Sequence, residues 1–412
     1  MSFWLMPFGV IASAGCLLLA LWREAAARRH QAPPVARSRS WHECCRRLPP
    51  AERLWLLTLA GASLATLASP HPLQSLPHWA LAVGCAITFA LARGILQRPA
   101  HLQLLLRALF QVAIGMSLFG LTVYAFDLHA RWQVAPGVEW AIGTPDRRVN
   151  AVMYHPNQLA GLLVLALGAG LGLFHGAPPG RSRVIVLAGL LCLALTLLLT
   201  ASRAGWLGAA VTLAAFGFSV DRRWWLAGGL AAATAAACFP QLIWARLSAL
   251  AWNDPAFDHF RLMGWEAALK MIQARPWTGW GPGTWGEVYP TFRLPAETVH
   301  LPHAHNAFLH VSAEFGVPTL VFLSALVLLT LRQALLETRD TPLQGIVVAL
   351  TCTTLGYAVT NCFDAALLEG RNAIAFFLLL GGAAAARRMP LLSGGREGAL
   401  AAGEGPSEGA FA

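Results

Sequence analysis

Charge is what this chain has least of. Only 12% of its 412 residues are charged against 56% hydrophobic, and a mean hydropathy of +0.54 excludes an ordinary water-soluble domain. Lysine is all but missing: Lys270 stands alone, so the formal charge of +10 rests on arginine. The eight cysteines lack zinc spacing. Cys16, Cys85, Cys192, Cys238, Cys352 and Cys362 fall in apolar runs and Cys44 and Cys45 are adjacent, so neither a disulfide framework nor a metal site is read from them. Strand-like alternation is absent from the apolar runs, which excludes a barrel and leaves helices as the spanning element. The first run has no charged n-region and no small-residue cleavage site behind it, so it reads as a retained span.

What is present is a series of apolar runs of helix length. They lie near residues 3–22, 54–69, 78–96, 108–127, 157–176, 184–200, 204–220, 224–240, 306–331, 344–363 and 372–386, eleven candidate spans in all. The segments after alternate spans hold 20 of the 30 basic residues, from Arg23 to Arg396, which makes that side cytoplasmic. The loops 127–155 and 241–305 then lie outside. The expected organisation is N-terminal transmembrane helices over 1–150, with a basic cytoplasmic loop at 23–53. A transmembrane core over 151–390 includes the outer loop 241–305, and a disordered tail occupies 391–412.

The outer loop is nearly neutral, so any anion site there comes from single placed arginines. Asp254-Pro255 and Arg275-Pro276 predict an amphipathic helix from about Pro255 to Ala274, with Arg261 and Trp265 on one face and Glu266 and Lys270 paired on another. The cluster from Pro276 to Gly286 formally satisfies GxGxxG at Gly281, Gly283 and Gly286. No strand precedes it, which removes the dinucleotide reading. Its tryptophans either anchor the loop or stack on sugar. His303-Ala304-His305-Asn306 immediately precedes an apolar run with Glu314 inside it. An imidazole there suits a general base, and a polar helix cap at Asn306 with solvated histidines is the alternative. Two histidines without evident third and fourth ligands argue against zinc. Ser202-Arg203 sits between two runs with almost no loop, so the guanidinium either snorkels or faces a polar cavity. Arginine's planar fork suits a diphosphate.

Together these pieces resemble the O-antigen ligase and polymerase superfamily of bacterial envelope glycosyltransferases. The resemblance runs from about Asn150 onward: His155-Pro156-Asn157-Gln158, Thr200-Ala201-Ser202-Arg203, Arg261-x-x-x-Trp265 through Pro276-x-x-Gly279-x-Gly281, and His303-x-His305-Asn306 with Glu314-x-Gly316. It implies an all-α polytopic bundle of the GT-C-like membrane glycosyltransferase type, in the bacterial inner membrane with its active site facing the periplasm. It further implies transfer of a glycan from undecaprenyl diphosphate to a lipid or saccharide acceptor such as lipid A-core. No metal, cofactor or nucleic acid enters. Arg203 and Arg261 would hold the diphosphate, His305, with His303 as second candidate, would be the base, and Asn157, Ser202, Trp265, Asn306 and Glu314 would support the site. The chain departs from the family in showing eleven spans where twelve are usual. A chain polymerase is the nearest rival. A solute transporter is the rival of another class, and the internal repeat and midplane charges it would need are not found.

Overall fold

The computed structural model describes residues 50–128, 130–135, 138–144, 147–248, 255–293 and 301–389. The run expected at 3–22, most of the basic loop and the tail from 391 lie outside these residues. Three helices come first: α1 (Pro50–Leu67), α2 (Pro72–Ile95) and α3 (Pro99–Ala125). An antiparallel hairpin, β1 (Ala130–Ala135) and β2 (Val138–Ile142), occupies the loop expected at 127–155. Then follow α4 (Pro156–Gly176), α5 (Arg181–Leu199), α6 (Arg203–Ser219), α7 (Arg223–Cys238), α8 (Pro240–Ser248), α9 (Pro255–Ala274) and α10 (Trp285–Phe292). The order closes with α11 (Ala307–Phe315), α12 (Val317–Glu337), α13 (Gln344–Phe363), a 3₁₀ turn at Ala366–Leu368 and α14 (Gly370–Ala386).

Every apolar run that falls among the described residues lies on helix. Proline supplies the first turn of α2, α3, α4 and α12, where its missing N–H costs nothing. Among the described residues six helices, α2, α3, α4, α5, α12 and α13, are long and apolar enough to cross a membrane. The chain is a multi-pass helical membrane protein.

α4 is buried on nearly every face and forms the axis of the bundle. Its side chains join those of α1–α3, α5, α6 and α12–α14 in one apolar core that runs from Ala51 to Met389. Small residues bring backbones together there. A Cβ on Gly208 of α6 would lie 2.6 Å from Gly356 O of α13, so two glycines face each other across that pair. Thr353 of α13 donates to Val164 O of α4 at 2.6 Å, filling the notch beside Gly168.

The run expected at 306–331 is two helices, not one. Gly316 adopts φ +82° between α11 and α12, and Val317 N–H bonds Pro276 O at 2.8 Å. A residue with a Cβ there would collide with Trp277 O, so glycine is required. The break makes α11 a short bracket joined to a second, smaller apolar cluster built from α9, α10 and the chain around Leu301 and Ala304.

Candidate functional site

The site is assembled where α11 begins and α13 ends. Asn306 caps α11, its Oδ1 accepting from Phe308 N and Leu309 N at 3.0 Å each. The polar-cap alternative thus describes Asn306 itself. The histidines before it are half-buried rather than solvated. His305 takes φ +50°, an uncommon backbone for a residue with a Cβ. That kink lets its own N–H donate to His303 Nδ1 at 3.1 Å and sets the two rings 4.2 Å apart.

Two carboxylates hold this turn. Ala307 N–H bonds the backbone O of Asp364 at 3.1 Å, tying the start of α11 to the residue after α13. The Asp364 side chain reaches within 4.8 Å of ligand atoms on both His303 and His305. It accepts from Ala365 N at 2.7 Å and from the side-chain amide of Asn157. Asn157 Oδ1 in turn accepts from Arg148 Nη2 at 2.8 Å, and Arg148 Nε donates to Thr200 O at 2.8 Å. The other carboxylate, Glu314, is buried in α11. It accepts from Gly283 N at 2.8 Å and Trp285 N at 2.9 Å, and lies 3.3 Å from His310 Nε2. His310 Nδ1 accepts from Ala304 N at 3.3 Å. One chain of contacts therefore runs from the glycine loop through Glu314 and His310 to the residue between His303 and His305.

That loop uses its tryptophans structurally. Trp280 and Trp285 spend their indole N–H groups on Met271 O and Leu301 O, and Gly279, Gly281 and Gly283 all take positive φ. Trp277 is exposed. The amphipathic helix expected from Pro255 to Ala274 has those bounds in α9, with Lys270 and Glu266 paired at 2.7 Å. Its proposed cap Asp254 lies outside the described residues. On α9 the Trp265 ring stands 6.5 Å from Phe363, beside Asp364, and its indole nitrogen is buried without a hydrogen-bond partner among the described residues.

Burial and like charge keep both imidazoles neutral. His303 is pushed down to about 3, by burial first and then by the neighbouring His305. His305 is lowered by burial, further by Arg261 and His155, with Asp364 acting in the opposite sense. Arg261 is thus close enough to His305 to bias its proton. Ser202 caps α6, accepting from Gly205 N at 3.3 Å, and places Arg203 at the first position of the helix. Thr360 of α13 donates to Ala204 O at 3.3 Å, so this helix start sits one turn from Asp364.

Asp364 supplies the third metal-type ligand that the sequence did not reveal. His, His and carboxylate is a composition that divalent metals accept. The proton positions do not fit one. His303 Nδ1 accepts a backbone N–H, so in the neutral ring Nε2 carries the hydrogen and offers no lone pair to an ion. His305 is the opposite case: its Nδ1 is buried without a hydrogen-bond partner among the described residues.

Residues 188–324 match the family model described as O-antigen ligase. Over that stretch, about a third of the chain, the protein is similar to O-antigen ligases. A search of curated proteins found no match. The matched stretch takes in Ser202, Arg203, Arg261, Trp265, His303, His305, Asn306 and Glu314, and stops short of Asn157 on one side and Asp364 on the other. Arg148, His310 and Asp364 were not singled out by sequence, although His310 and Glu314, an ionisable pair at helical spacing inside an apolar run, were a usable signal.

Proposed function

We propose that the chain is a glycosyltransferase that moves a glycan from an undecaprenyl-diphosphate carrier to an acceptor hydroxyl, lipid A-core or a similar molecule, on the periplasmic face of the inner membrane. The observation that carries this is His305: a neutral imidazole with a buried ring nitrogen lacking a hydrogen-bond partner, within the field of Arg261 and beside Asp364, inside the stretch similar to O-antigen ligases.

In this reading His305 takes the proton of the acceptor hydroxyl as its oxygen attacks the anomeric carbon from the face opposite the phosphate. The bond from that carbon to the phosphate oxygen breaks, the electron pair leaves with the diphosphate, and configuration inverts. Arg261 and Arg203 neutralise the departing anion. Asp364 stabilises the imidazolium that forms, a role that grows only as charge develops. His303, with its hydrogen on Nε2, acts as a donor and not as a second base. No step needs a metal.

The test incubates the purified protein with lipid-diphosphate-linked glycan and acceptor in the presence of chelator. Product is expected from the wild type and lost, by about 10²–10⁴-fold, in His305→Ala. Arg203→Ala should lose it as well, with both variants still folded. Strict dependence on an added divalent metal would sink the mechanism.

A further inference from the structure

A cavity of about 640 Å³ opens from the corner formed by His303 and Asp364. Its far wall is apolar, with Trp55 of α1, Leu81 of α2, Leu323 of α12 and Phe377 of α14 each contributing. Its near wall is polar and includes Asn157, Gln158, Asp364 and Glu369. Well-packed interiors leave few voids larger than a water molecule, so a hollow of this size ending at a reactive corner is built for an occupant.

Charge identifies the occupant's class. The lining carries three carboxylates, Glu314, Asp364 and Glu369, one guanidinium, Arg371, and four imidazoles, His78, His155, His303 and His310, of which His310 lies against Glu314. Arg371 is already committed, lying 3.5 Å from Glu369 and donating to Val152 O at 3.0 Å. Neither Arg203 nor Arg261 lines the cavity. A diphosphate would therefore meet net negative charge, whereas sugar hydroxyls would find carboxylate and amide acceptors. The apolar wall suits a lipid chain.

Resting on the transferase reading above, we infer that this cavity is the acceptor site, and that the acceptor is an amphiphile whose hydroxyl-rich sugars, where they enter the cavity, carry no phosphate. The head enters beside His303 and Asp364, which line the cavity, with His305 behind them, its ring 4.2 Å from that of His303, and the donor diphosphate belongs on the arginine side of the histidine pair.

The full-length protein in lipid nanodiscs is labelled with a photoreactive alkyl maltoside and, separately, with a photoreactive farnesyl diphosphate. The maltoside is expected to label residues of α1, α2, α12 and α14 that line the cavity, with farnesyl diphosphate failing to displace it. Ala82→Phe, which fills the apolar end, and Glu369→Gln, which keeps the oxygen that caps α14 but removes charge, should each cut labelling about tenfold. Each should raise the KM for acceptor and leave that for donor unchanged. Glu369→Gln decides the matter if Ala82→Phe fails to fold. Labelling of the cavity by the diphosphate, displacement of maltoside by it, or a donor KM that rises with either variant would overturn the assignment. Labelling needs no turnover, so a wild-type chain that binds maltoside here but transfers no glycan from the lipid-diphosphate donor would refute the transferase reading and not the cavity.

Discussion

His303 and His305 are two residues apart and differ in which nitrogen is committed. The backbone bond to His303 Nδ1 makes that ring a donor at Nε2, whereas no hydrogen bond among the described residues commits His305 Nδ1 to either role. Because His305 is held below the ordinary histidine range, its lone pair stays available as the medium acidifies. The acid limb of kcat/KM is expected below about pH 6.5, the usual histidine midpoint. Arg261→Ala removes a cation that opposes the imidazolium, so the limb should move to higher pH even as the rate falls. A profile measured at saturating donor checks this, and a shift to lower pH would show that Arg261 does not act on His305. Stability follows the same protons with a sign of its own. His303 titrates near 3 in the fold and near the ordinary 6.5 when unfolded, so the unfolded chain takes up protons first. Stability is full above that upper value and declines as pH falls toward the lower. His303→Gln should flatten this slope in thermal unfolding scans.

At the scale of elements, α11 works as a bracket rather than a membrane span. Glu314 closes the glycine loop at one end and, through His310, fixes Ala304 at the other. Removing the carboxylate leaves two buried amides and an imidazole without their acceptor. Glu314→Ala is expected to cost about 3–5 kcal/mol, read from unfolding in detergent, and to abolish transfer as the His303–His305 turn loosens. Glu314→Gln, which keeps one acceptor oxygen, should recover part of the stability. The α6–α13 contact is equally specific. Gly208→Ala places a methyl against Gly356 O and is expected to lose about 1–3 kcal/mol. A neutral result there would mean that these two helices are free to part.

At the scale of the whole molecule, the helices were legible in sequence because a bilayer demands runs of apolar residues, and α9 because proline marks both of its ends. The split at Gly316 was not, since one glycine in an apolar run becomes a break only when Trp277 packs against it. The hairpin at Ala130–Ile142 left no such mark. Of the site, His303, His305 and Arg261 were visible as polar residues at the edges of apolar runs. Asp364 was hidden because its meaning lies in what folds against it: α13 must return to the same end of the bundle as α11 before a carboxylate meets the histidines.

That convergence makes Asn157 the residue to test last. It joins Arg148, which is anchored on the end of α5 through Thr200 O, to Asp364 at the end of α13, and so spans parts of the chain on either side of the stretch similar to O-antigen ligases. Asn157→Leu keeps the volume and removes both bonds, leaving Asp364 free to rotate from the histidines. The loss expected is about 1.5–3 kcal/mol of stability, the worth of a hydrogen bond to a charged group. Transfer should fall through kcat with little change in KM for either substrate, since Asp364 acts on the imidazolium formed during reaction. A rise in donor KM with unchanged kcat would instead place Asn157 on the diphosphate and assign the carboxylate no part in the chemistry.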